Sequence, residues 1–142
     1  MPNKKIGFLI KQVFYLHEQH LNKQFSKFGL TASQTFTLIY LFKSHDKGIS
    51  VNQKDIEKEL DISNPTVTGI LNRLEVKGLI TRVPCRHDAR AKNIEVTEKA
   101  LELDKQLRIV FQQSDEKLVE SLSKEEIDNL QGYLIKILRS NS

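Results

Sequence analysis

Residues 52–97 constrain the fold more than any other part of this chain. Two short helical patterns, "NQKDIEKEL" and "SNPTVTGILNRLEVKG", are separated by only "DI". Directly after them come "LITRVP" and "KNIEVT", which read as two short strands around the polar, basic segment "CRHDARA". Two short helices joined by a tight turn, with a basic hairpin behind the second, form a winged helix-turn-helix.

The second helix explains itself residue by residue. Ser63 is the expected N-cap, and Pro65 falls in the first turn, where its missing N–H costs nothing. Steps of about 100° per residue put Val67, Ile70, Leu71 and Leu74 in one apolar sector, and Gly78 stands where a C′ glycine ends a helix. The opposite face holds Pro65, Thr68, Gly69, Asn72 and Arg73 instead of the Lys and Glu of an ordinary solvated face. A B-DNA major groove about 12 Å wide admits a helix whose central side chains are short. Gly69 permits close approach, Ser63, Asn64, Thr66, Thr68 and Asn72 offer hydrogen bonds to base edges or phosphates, and a Glu-rich face would be repelled.

The hairpin adds cations: Arg82, Arg86, Arg90 and Lys92, joined by His87 below neutral pH. Arginine suits the enhanced negative potential of a narrow minor groove. Asp88 is out of place against phosphates and makes sense as an internal partner of an arginine, either Arg90 or Arg73.

Around this centre the pattern is helical. Residues 4–28 repeat Phe8, Leu9, Val13, Leu16 and Leu21 near helical spacing; Gly29 closes that helix, and Thr31 can cap the next, which carries Phe36, Leu38, Ile39, Leu41 and Phe42. A long helix is expected over about 97–122, and a last one follows a Ser123…Glu126 capping box with Ile127, Leu130, Leu134, Ile137 and Leu138. The flanking helices carry more apolar surface than one small core needs, which predicts a homodimer. The 142 residues read as one domain, with residues 1–30 and 98–142 as dimerisation helices and 31–97 as the reading module.

Charge supports this division. Residues 1–97 hold 15 Lys/Arg against 9 Asp/Glu, a balance of +6, and residues 98–142 hold 7 against 9, a balance of −2. A basic module permits nucleic-acid binding without specifying it. No apolar run reaches the roughly 20 residues of a membrane span, and the first 20 residues lack the cleavage site of a signal peptide. The sole cysteine, Cys85, rules out an internal disulfide. These features predict a cytoplasmic protein.

Other chemistries find less support. Arg86 and His87 beside Cys85 invite a redox-responsive regulator, but the chain has no second cysteine to resolve an oxidised one. His17 and His20 share a helical face with only Glu18 beside them, which is thin for a metal. No phosphate loop, metal set or nucleophile triad points to an enzyme, so no cofactor, metal or catalytic residue is expected. A winged helix that binds proteins and never reads DNA is the remaining alternative.

"LTASQTFTLIYL", "KDIEKELDISNPTVTGILNRLEVKGLITR" and "DARAKNIEVTEKA", in that order, resemble the MarR family of bacterial transcriptional regulators over nearly the whole chain. The wing signature, Asp88-x-Arg90 followed by "KNIEVTEKA", is the most specific part, and among subgroups there is a slight likeness to multidrug-efflux repressors. The resemblance implies a mainly α fold with a two-stranded wing and a homodimer joined through its first and last helices. It further implies an inverted-repeat operator on double-stranded DNA, Arg90 in the minor groove and Asp88 as its support. Ala89 departs from the family, where many members carry another arginine.

Together these readings assign Thr68, Asn72 and Arg73 to bases, Ser63, Asn64 and Thr66 to phosphates or base edges, and Arg86 and Lys92 to the backbone. The resemblance also implies repression relieved by a small-molecule effector, in a pocket between the dimerisation helices and the reading module. Phe14, His17, Phe36 and Tyr40 are its candidate lining.

Overall fold

The computed structural model describes residues 5–88 and 91–142. Six helices and one hairpin follow in the order α1 (Ile6–Ser26), α2 (Ala32–Asp46), α3 (Gln53–Leu60), α4 (Asn64–Val76), β1 (Ile80–Pro84), β2 (Lys92–Val96), α5 (Glu98–Leu118) and α6 (Lys124–Ser140). The fold is mainly α, with a helix-turn-helix of α3 and α4 and a two-stranded antiparallel wing.

Local chemistry sets most boundaries. Gly29 takes φ +70° after α1, and Thr31 and Gln34 form a reciprocal capping box at the start of α2. Asn52 with Asp55 and Ser123 with Glu126 do the same for α3 and α6. Gly78, at φ +74°, follows the last turn of α4. The helix expected over 97–122 ends at Leu118. Ser123 must adopt extended backbone to cap α6, so the chain leaves helical geometry a turn earlier.

The core joins every element except α6. Phe25 of α1, Leu38 of α2, Ile56 of α3, Leu71 and Leu74 of α4, Ile80 of β1 and Leu107 of α5 are fully buried together. The wing is not a free hairpin. β1 pairs with β2 from Ile80↔Val96 to Pro84↔Lys92, and β2 also bridges the segment before α3, where the Ile94 N–H donates to the Val51 carbonyl at 2.7 Å. Wing and helix-turn-helix are thereby stitched along a shared backbone seam.

The buried hydroxyls of α2 are matched. Thr35, Thr37 and Ser44 bond the carbonyls four residues back along α2. Lys77, at the end of α4, donates to Gln34 Oε1 at 2.8 Å and to the Gly29 carbonyl, which fastens the α1–α2 corner to α4. No helix among the described residues is long and apolar enough to cross a membrane.

α1 and α5 meet at a polar contact, His20 Nδ1 to the buried Ser114 hydroxyl at 2.9 Å. Burial, then the positive charges of Lys117, His17, Lys27 and Lys23, lower the His20 pKa below its ordinary 6.5. The unfolded chain therefore binds this proton more readily than the folded one, so the stabilisation held above pH 6.5 is lost as pH falls from there through the lowered folded-state pKa. Thermal melting should show a midpoint that drops between pH 7.5 and pH 5.5, and His20→Gln should flatten that drop.

Candidate nucleic-acid interface

Three elements build the candidate surface: α4, the start of α3, and the wing. The α3–α4 turn is tight because Asp61 adopts the left-handed conformation, φ 52° and ψ 50°, in which its N–H and that of Ile62 both return to the Glu57 carbonyl. Aspartate tolerates that region better than a branched residue does. Val67, Ile70, Leu71 and Leu74 seat α4 in the core, which turns Asn64, Pro65, Thr66, Asn72 and Arg73 to solvent, with Thr68 and Gly69 half-exposed at the rim.

Ser63 occupies the N-cap position, with φ −71° and ψ 155°, but its side chain makes no cap bond. Its hydroxyl pairs with the Thr66 hydroxyl at 2.9 Å instead. With Pro65 lacking an N–H, the first-turn amides of Asn64 and Thr66 remain open to an anion. A Cβ on Gly69 would lie 3.0 Å from Arg73 Nη1, so the glycine leaves room for that guanidinium over the helix face.

Several of these side chains are already engaged. Gln53 Nε2 donates to Thr68 Oγ1 at 2.8 Å, Asn64 Nδ2 donates to Glu57 Oε2 at 3.0 Å, and Arg82 Nη2 donates to Asn72 Oδ1 at 2.7 Å. Gln53 and Glu57 did not emerge from the sequence, and Arg82 emerged only as one more wing cation. The available signal was the position of Gln53 and Glu57 one turn apart on the short helix that must cross α4. Glu57, Asn64, Thr68, Lys54, Arg82 and Lys92 line a concavity of about 490 Å³ between α3, α4 and the wing.

In the wing, Arg86, Asp88 and Lys92 are exposed, and Ala89 and Arg90 lie outside the described residues. The assignment of Arg90 to a minor groove, and its pairing with Asp88, therefore fall beyond what the structure describes. Cys85 is half-buried just past the loop end of β1, where its thiol donates to Asn93 Oδ1 at 3.2 Å.

The four residues considered for an effector pocket face different neighbours. Phe14 is 62% exposed on α1, and His17 Nε2 stands 3.9 Å from Asp115 Oδ1 of α5. Phe36 packs edge-on to Phe25, with ring centroids 6.1 Å apart. Tyr40 looks toward α3, and its pKa is raised by burial and then by Asp55 and Glu59. A cavity of about 310 Å³ does lie between α2 and α5, but Phe42, Leu107, Arg108 and Phe111 are among its walls rather than those four.

A recognition helix seated by an apolar seam, a left-handed tight turn before it and a basic hairpin stitched behind it define a winged helix-turn-helix protein. A sequence model of the MarR family matches residues 28–91. The Staphylococcus aureus MepR–DNA complex is 31% identical and superposes with a TM-score of 0.76 over 97% of this chain and 99% of that one. MepR described as a transcription regulator of the S. aureus multidrug efflux pump MepA is 29% identical, with a TM-score of 0.86 over 98% and 100% of the two chains. Wild-type apo MarR from E. coli is 25% identical, with a TM-score of 0.81 over 96% and 98%. The chain belongs to the MarR family of transcription regulators.

The turn gives a direct test of the helix-turn-helix geometry. Asp61→Val forces a β-branched side chain into the left-handed region and should cost about 1–2 kcal/mol in denaturant unfolding.

Proposed function

We propose that this protein is a homodimeric, sequence-specific DNA-binding repressor that acts on an inverted-repeat operator and is released by a small molecule. The observation that carries this reading is the exposed face of α4, where Pro65, Thr68, Gly69, Asn72 and Arg73 form a short, hydrogen-bonding ridge flanked by the basic wing. Thr68, Asn72 and Arg73 reach base edges, and Ser63, Asn64 and Thr66, with the open first-turn amides, hold phosphates. Arg86 and Lys92 contact the flanking backbone, and Arg90 enters the minor groove with Asp88 as its support. The MepR structure solved as a DNA complex lends this reading further weight.

Dimerisation is supported by α6, in which no side chain is buried within its own chain. Leu130, Tyr133, Leu134, Ile135, Ile137 and Leu138 are all exposed there, as are Ile6, Phe8, Leu9, Ile10 and Val13 on α1. Two such faces cover each other in a two-fold pair, which sets the recognition helices about 34 Å apart on successive major grooves. Residues 1–30 and 98–142 are the dimerisation region in this scheme, and 31–97 the reading module. An effector seated between the two, near Phe14, His17, Phe36 and Tyr40, would favour a spacing that mismatches the groove repeat and so lower DNA affinity.

Fluorescence anisotropy on duplexes enriched from a random pool tests the reading. The selected site should be an inverted repeat bound at least about 10³-fold more tightly than scrambled DNA, with affinity falling steeply as salt rises. Equal, weak binding to all sequences would overturn it. Leu134→Asp with Leu138→Asp should convert the dimer to monomer in sedimentation, and DNA affinity should drop at least about 100-fold with it.

A further inference from the structure

Arg82 lies at the foot of the wing, yet its guanidinium points back to α4 rather than out to solvent. Nη2 donates to Asn72 Oδ1 at 2.7 Å, and Nε stands 3.8 Å from Glu75 Oε2. Asn72 and Glu75 are three residues apart on α4, so one planar group spans two oxygens on adjacent turns. The Arg82 side chain is only 22% exposed, and its Nε is buried without a hydrogen-bond partner. Its backbone is fixed from the other side by the register Arg82↔Ile94, with Ile94 itself buried.

A guanidinium has five donors and no acceptor. The amide of Asn72 can meet it only through oxygen, since its nitrogen would set donor against donor. An exposed asparagine is ordinarily free to rotate its amide and present either end. Here a charge-assisted bond holds the oxygen toward the wing and turns Nδ2 outward.

We infer that Arg82 is a positioning residue that fixes Asn72 as a hydrogen-bond donor, so that α4 reads a base-edge acceptor at that step. The inference rests on the DNA-reading function proposed above. Guanine presents O6 and N7 as acceptors in the major groove, adenine N7 and thymine O4, whereas cytosine presents only an amino group. The Asn72 oxygen keeps a second lone pair, so its bond to Arg82 leaves adenine readable. The base facing Asn72 is therefore guanine, adenine or thymine in preference to cytosine. Glu75 contributes indirectly by holding the guanidinium over Asn72.

The test is selection from a randomised duplex pool with the full-length wild type, Arg82→Met, Asn72→Ala and the double variant, each first checked by thermal melting. In the wild type one position per half-site should disfavour cytosine about tenfold, and Asn72→Ala should erase that preference alone. Arg82→Met frees the amide to turn its oxygen outward, so it should admit cytosine at the same position and leave the other positions unchanged. The double variant should match Asn72→Ala there. Arg82→Lys, which keeps a donor for Oδ1, should retain the preference. If Arg82→Met does not fold, Asn72→Asp supplies an acceptor in place of the donor and should switch the preference to the amino-bearing bases, adenine and cytosine.

A uniform loss of affinity in Arg82→Met with the preference intact would overturn the inference, as would a wild-type preference for cytosine at the Asn72-dependent position. So would the absence of any Asn72-dependent position, or an Asn72→Asp profile that matches the wild type. Failure of the wild type to separate its selected site from scrambled DNA would instead strike at DNA reading itself.

Discussion

Val67, Ile70, Leu71 and Leu74 are at most 5% exposed, and the orientation of everything on the other side of α4 follows from them. A four-residue apolar seam fixes rotation about the helix axis, because turning α4 by one residue would lift a leucine out of the core and push a polar side chain in. Burial of one such leucine contributes about 1.5–3 kcal/mol. That is enough to hold the opposite face in register while the face itself stays free of packing duties. The tight turn at Asp61, the Lys77 tie to Gln34 and the backbone seam between Val51 and Ile94 then fix the helix lengthwise and bind the wing to it.

With the helix held by apolar contacts, its polar side chains can be tuned separately. Gln53, Glu57 and Arg82 each reach across from a neighbouring element to one exposed or half-exposed residue of α4. Each contact orders a side chain before any partner arrives, so less conformational freedom remains to be lost on association. Arg73 and Thr66 face solvent, and Ser63 and Thr66 share only a hydroxyl pair between themselves. The ridge thus mixes pre-oriented groups with adaptable ones.

Those two layers differ in how far the sequence exposes them. The apolar seam of α4, the Thr31 and Ser123 caps and the strand pair at 80–84 and 92–96 follow from spacing and local chemistry, because each depends on residues within a turn or a hairpin. Ser63 takes the N-cap position its residue type suggests, but it makes no cap bond because the residue three further on is Thr66, whose hydroxyl competes for the cap oxygen where Glu or Gln would have completed a capping box. The end of α5 misleads because apolar periodicity continues past Leu118 while the next cap already demands extended backbone. The cross-helix bonds span seven to fifteen residues of sequence and depend on how α3, α4 and β1 cross. No spacing rule reaches that far.

The bareness of α6 bears on how the protein behaves as its amount changes. On the proposed pairing, α6, which buries none of its own side chains, gains its packing only when another copy covers it. On the proposed pairing, two chains must meet before either is fully shielded. DNA occupancy at low abundance then rises with the square of chain concentration rather than in proportion to it. Newly made or diluted chains expose a greasy arm to proteases until they find a partner. On the same pairing, DNA occupancy falls more steeply than the amount of protein as chains are diluted.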